Sequence, residues 1–139
     1  MAVWLFSIVL SAASLFGQAP ASHPSFAGTW APVEGVSPAV NLVVTQTAAG
    51  LTATSGDGHV IECSLDGKTT KQKDENADVT ATWNGPSLVL TIVTTSDFGD
   101  TNIVKQTWSL DAKGQLILET ARERRGQTQV QRAVYRKAG

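Results

Sequence analysis

From Phe26 to Arg136 the chain is a series of short runs in which apolar and polar residues alternate, cut every eight to twelve positions by turn residues. That rhythm constrains the fold more than any other feature, because it matches the period of a pleated strand and leaves no room for long helices. The runs are FAGTWA, AVNLVVTQT, LTATS, HVIECSL, ADVTATW, SLVLTIVTT, NIVKQTWSL, QLILETARE and TQVQRAVYR. Between them lie turn formers: Ala49-Gly50, Gly56-Asp57-Gly58, Asn84-Gly85, a loop holding Gly99, Asp111-Ala112-Lys113-Gly114 and Arg125-Gly126-Gln127. No run repeats apolar residues at i, i+3 and i+4 over three turns, so no long helix is expected. Connections this short join only antiparallel neighbours, since a parallel crossover needs a dozen or more residues. The expectation is an all-β, up-and-down antiparallel meander of eight or nine strands. Pairing its first and last strands would close it into a barrel and remove two hazardous edges; an open sandwich is the second choice.

Period two assigns the faces. Val79, Ala81 and Trp83 share one side, as do Leu88, Leu90 and Ile92; Val104, Gln106, Trp108 and Leu110; and Leu116, Leu118 and Thr120. The 79–95 and 102–120 segments read as two copies of one hairpin, each a strand ending in Thr-Trp, a turn and an apolar strand. The polar stretch DGKTTKQKDENAD (66–78) reads as a mobile hairpin tip.

The first segment, MAVWLFSIVLSAASLFGQAPA, reads as a signal peptide covering residues 1–21. Its apolar run from Ala2 to Gly17 is shorter than the roughly 20 residues that span a bilayer. Ala19-Pro20-Ala21 fits a small-x-small cleavage site, so the domain spans 22–139 and is secreted or periplasmic after cleavage near Ala21. No stable membrane anchor is expected. Cys63 is the single cysteine, which excludes an internal disulfide and a thiolate metal cluster; within a strand-like run it reads as a buried, inert thiol. The net charge of −1 is unevenly spread: residues 26–100 carry nine acids and three bases, residues 101–139 three acids and eight bases. The basic residues alternate with strand formers, so they read as solvated faces and not as a nucleic-acid site.

The opening run carries Gly28-Thr29-Trp30, and this triplet resembles the G-x-W signature on the first strand of the lipocalin and avidin (calycin) group. The chain also resembles small exported bacterial barrels that open on F-x-G-T-W and carry L-D-G-K and T-W-x-L. The resemblance implies that Trp30 closes one end of the barrel and that a basic side chain of the last strand lies over its ring. In QRAVYRK that side chain is expected to be Arg136, with Arg132 the second choice. Independently of family, a cation over an indole face contributes about 0.5–2 kcal/mol. Gly28 would let the chain curl beside so large a ring.

The residues offer little chemistry. His23 sits at the expected mature terminus and reads as fraying, while His59 follows a turn and reads as structural or solvent-exposed. No spacing suits a zinc or calcium site, no G-x-S-x-G elbow is present, and no Gly-rich loop opens a helix. The chain is read as a non-enzyme that needs no metal or cofactor. Two functions stand. In the first, Trp83, Leu90, Ile92, Val104, Trp108, Leu116 and Leu118 line an apolar interior, Gln106 and Thr120 orient a guest, and the protein binds a small apolar ligand. In the second, the same residues fill the interior. The protein is then an exported interaction or protease-inhibitor-like module, meeting a protein partner through loop tips around Phe98. An internal cavity above about 300 Å³ favours the first.

Overall fold

The computed structural model describes residues 23–72, 76–124 and 126–138. The expected signal segment 1–21 and its cleavage site lie outside the described residues. Ten strands follow in chain order: β1 (Gly28–Glu34), β2 (Leu42–Gln46), β3 (Gly50–Ser55), β4 (Val60–Ser64), β5 (Thr69–Lys71), β6 (Ala77–Asn84), β7 (Ser87–Thr95), β8 (Thr101–Leu110), β9 (Leu116–Arg124) and β10 (Gln127–Lys137). Every ladder is antiparallel, and the order across the sheet is β4-β3-β2-β1-β10-β9-β8-β7-β6-β5. The fold is all-β, a single up-and-down sheet nearly closed into a barrel.

Nine of the strands occupy the nine alternating runs. The tenth, β5, lies inside the polar stretch 66–78, where the sequence pointed to a hairpin tip. Its two threonines are β-branched and suit a short edge strand. Thr69 sits opposite Thr80 on β6, with their hydroxyl oxygens 2.8 Å apart.

β1 and β10 do pair, in the register Trp30↔Lys137, Ala31↔Arg136 and Pro32↔Tyr135, with a bulge between Pro32 and Glu34. The gap in the barrel falls instead between β4 and β5, the two ends of the sheet order. Side chains close it. The Gln72 amide stands in for a strand residue: its Oε1 accepts the Glu62 N–H at 3.0 Å, and its Nε2 donates to the Glu62 carbonyl at 2.7 Å and the Thr70 carbonyl at 3.3 Å. Thr70 Oγ1 accepts the Ser64 N–H at 3.1 Å. Gln72 is buried, and it can be buried because the amide finds these partners in the neighbouring backbone.

Inside, period two holds throughout, and facing residues form continuous rows across strands. Leu88, Trp108, Leu118 and Ala133 make one row; Leu90, Gln106, Thr120 and Gln131 the next; Ile92, Val104, Arg122 and Gln129 the third. The rows change from apolar to polar from one end of the barrel toward the other, and this gradient sets the site. The turns fix the register. Gly85, with φ 60°, opens the two-residue Gly85-Pro86 link of β6 to β7, a conformation that a residue with a Cβ adopts at a cost.

Candidate functional site

The two ends of the barrel differ. One is closed by the segment before β1, which crosses the opening. Phe26 is fully buried there; its N–H donates to Gln46 Oε1 at 2.8 Å, while Gln46 Nε2 donates to the Pro24 carbonyl at 3.2 Å. The three tryptophans of the domain gather round Phe26. Trp30 Nε1 donates to the Phe26 carbonyl at 2.8 Å, Trp83 stacks on the Phe26 ring at 6.1 Å, and Trp108 meets it edge-on at 5.8 Å. Each Trp thus combines a large apolar area with a specific aromatic or hydrogen-bonded contact. His23, expected to fray, is placed with its imidazole parallel to the Trp83 ring, centroids 4.0 Å apart.

The cation over Trp30 is Lys137. Its Nζ lies 4.8 Å from the ring centroid and donates to the Ala27 carbonyl at 2.7 Å. This corrects the expectation of Arg136, or Arg132, by one strand position. Lys137 is the direct partner of Trp30 and shares its face, whereas Arg136 faces Ala31 and is exposed. A slip of one residue moves a side chain to the opposite face of a sheet. Gly28 serves this closure in a way the sequence did not specify. Its φ is +132°, and a Cβ there would lie 2.7 Å from Lys137 Nζ, so the lysine stem needs the missing side chain in order to reach the indole.

The other end is open and holds a cavity of about 390 Å³. Of the nine residues expected to line an interior or orient a guest there, Ile92, Val104, Gln106, Trp108, Leu118 and Thr120 line this cavity, and Trp83, Leu90 and Leu116 are not among its lining. Trp83 belongs to the closed end, and Leu90, like Leu116, is fully buried in the packed half. The interior is therefore filled on one side and open on the other, with Trp108 at the division.

Gln106 and Thr120 form a network at that division. Gln106 Oε1 accepts the Trp108 Nε1–H at 2.8 Å, and Gln106 Nε2 donates to Thr120 Oγ1 at 3.3 Å. This spends the indole donor inside the protein and orients the amide, leaving the Thr120 hydroxyl proton directed by whatever acceptor enters the cavity. The sequence did not single out Tyr135, Arg122, Gln131, Asn102 or Gln72, which also line the cavity. Arg122 extends the inward row Leu116, Leu118, Thr120 by one step, and Tyr135 and Lys137 extend Ala133, so simple alternation would have found all three. Burial raises the Tyr135 phenol above its usual pKa, with the charge of nearby Asp57 adding to the effect, so it stays a donor over the neutral range.

His59 also lines the mouth. Among the described residues, no group of three or more His, Cys, Asp or Glu is placed to hold a metal ion. Cys63 lies buried near the β4–β5 gap, where loss of solvation pushes its thiol up to about 11. The thiol therefore keeps its proton at neutral pH, which disfavours the nucleophilic thiolate. Phe98 sits at the tip of the β7–β8 turn and is 93% exposed, on a loop held by the Ser96 N–H to Asp100 carbonyl bond and by Ser96 Oγ accepting the Asp100 N–H. Comparison of the sequence with protein-family models and with curated proteins returns no match.

Proposed function

We propose that this chain is an exported, lipocalin-like binding protein that takes a small apolar molecule into the open half of its barrel and catalyses no reaction. The observation that carries the reading is the cavity of about 390 Å³ above Trp108, which falls within the usual size range of ligand pockets, about 300–1,000 Å³. Ile92, Val104, Trp108 and Leu118 give its lining an apolar part, and Gln106 and Thr120 are among the groups that can hydrogen-bond a guest. The packed end gives the guest a rigid floor. Likeness to the calycin group, and export after cleavage near Ala21, belong to the same proposal and rest on the G-x-W triplet and the leader-like first segment. Titration of intrinsic Trp fluorescence with a panel of apolar compounds tests the reading. A saturable quench or blue shift is expected, because Trp108 touches the cavity; no response to any member of the panel would refute it.

A second reading is favoured by one observation. Phe98 projects into solvent from an ordered turn, as an anchor for a protein partner would. On this reading the barrel is an exported interaction or protease-inhibitor-like module. Loss of partner capture by Phe98→Ser, with ligand binding unchanged, would select it.

A further inference from the structure

The apolar wall covers only half of the cavity, and the other half has a charge preference. Among the described residues, Arg122 is the one lining residue that carries a full charge at neutral pH whatever its surroundings, and no Asp, Glu or Lys joins it. It sits in the row Ile92–Val104–Arg122–Gln129, one step nearer the mouth than Gln106 and Thr120. No ion pair or hydrogen bond occupies its guanidinium among the described residues. Other lining groups, the Tyr135 hydroxyl and the side-chain amides of Asn102 and Gln131, can also donate hydrogen bonds to a guest. Asp57, the nearby acid, does not line the cavity; its Oδ1 accepts the His59 N–H at 3.2 Å within its own turn.

Size narrows the guest further. A cavity of about 390 Å³ equals the liquid volume of roughly 13 water molecules, so it admits on the order of 10–20 non-hydrogen atoms.

We infer that the guest is a compact monoanion with an apolar body, which lies against Ile92, Val104 and Leu118 while its carboxylate or equivalent acid group meets Arg122 at the mouth. This rests on the pocket reading above and adds the sign of the head group, its position and its size. A guanidinium fork matches a carboxylate in two parallel bonds, and the pairing is stronger where one side is walled by apolar surface.

The test uses three probes of nearly equal size: 2-naphthoate, 2-naphthamide and 2-naphthylmethylammonium. Each is titrated calorimetrically into the signal-free protein and into Arg122→Gln and Arg122→Lys variants at pH 7.5 and low salt. The expected result is naphthoate binding at least about tenfold tighter than the amide, with the ammonium weakest. In Arg122→Gln the anion and the amide should fall within about threefold of each other, and Arg122→Lys should keep part of the preference. Equal binding of anion and amide by the unaltered protein, or a preference that survives Arg122→Gln, overturns this inference and leaves the pocket reading standing. A preference for the ammonium overturns it also. Binding of none of the three below about 1 mM overturns the pocket reading together with the inference. Thermal melts of both variants separate lost binding from lost folding.

Discussion

Replacing Gln72 with Met keeps the length and volume of the side chain and removes its amide, which probes the β4–β5 gap directly. Three hydrogen bonds disappear, to the Glu62 N–H, the Glu62 carbonyl and the Thr70 carbonyl. Each is worth about 0.5–1.5 kcal/mol net, and a backbone group left buried without a partner costs about 1–3 kcal/mol. The Glu62 groups are only partly buried, so water recovers some of the loss, and the thioether gains some apolar burial. The balance is a destabilisation of about 2 kcal/mol. For a domain of this size that lowers Tm by roughly 6–12 °C. Urea unfolding of the signal-free domain measures the free energy, and amide exchange at Glu62 and Ser64 locates it. These amides should exchange at least about tenfold faster in Gln72→Met, with little change in β8 and β9, because opening at a sheet edge is local. A stability change under about 0.5 kcal/mol, or faster exchange spread evenly over the barrel, would refute the view that one amide substitutes for a missing strand pairing.

At the closed end, Lys137→Met should cost about 0.5–1 kcal/mol through loss of its contact with Trp30 and its bond to the Ala27 carbonyl, a figure kept small by the exposure of the ammonium, while Arg136→Ala should change stability by less than about 0.5 kcal/mol. The reverse ranking in chemical denaturation would contradict the strand register. Gly28→Ala should destabilise by more than about 1 kcal/mol, because an L residue is strained at φ +132° and its methyl displaces the lysine stem. The Cys63 thiol, raised to about 11, holds its proton in the folded state at pH values where the unfolded thiol has lost it; the folded state binds more protons, so stability falls as pH rises from about 9 to about 11. Cys63→Ala should flatten that fall by about 2 kcal/mol, leaving the part contributed by Tyr135, and folded protein should react with thiol reagents at pH 8 far more slowly than unfolded protein. Phe98→Ser should leave Tm unchanged within about 2 °C, since the ring packs on nothing.

Strand rhythm and turn chemistry carried most of the architecture, because alternation and Gly-containing turns act locally and independently of the rest of the chain. The nine runs that alternate cleanly are strands. β5 escaped notice because three residues, two of them threonine and one lysine, show no apolar period; its place is decided by contacts with Thr80 on β6 and, through Gln72, with Glu62 on β4, which lie elsewhere in the chain. The position of the gap could not be read either. It depends on which neighbouring strands are long enough to pair, and the sequence showed only that the first and last strands ought to meet.

The site was legible by face and not by depth. Alternation put Trp83, Leu90, Ile92, Val104, Gln106, Trp108, Leu118 and Thr120 on inward faces, yet it carries no information about height along the barrel. It therefore did not separate the packed floor, with Trp83 and Leu90, from the six residues around the cavity. Lys137 was missed through a one-residue error in register on β10. Continuing the inward set Ala133 and Tyr135 by two gives Lys137, whereas the tyrosine-arginine pair drew attention to Arg136 on the outward face.

The central claim is a barrel closed at the Trp30 end and open to a guest above Trp108. The most direct measurement is a titration of the isotopically labelled domain with 2-naphthoate, following the indole N–H resonances. The Trp108 indole, held by Gln106 beside the cavity, should shift and saturate, while the Trp30 indole, bonded to the Phe26 carbonyl, stays in place. Equal movement of both signals, or movement of Trp30 alone, would contradict the account.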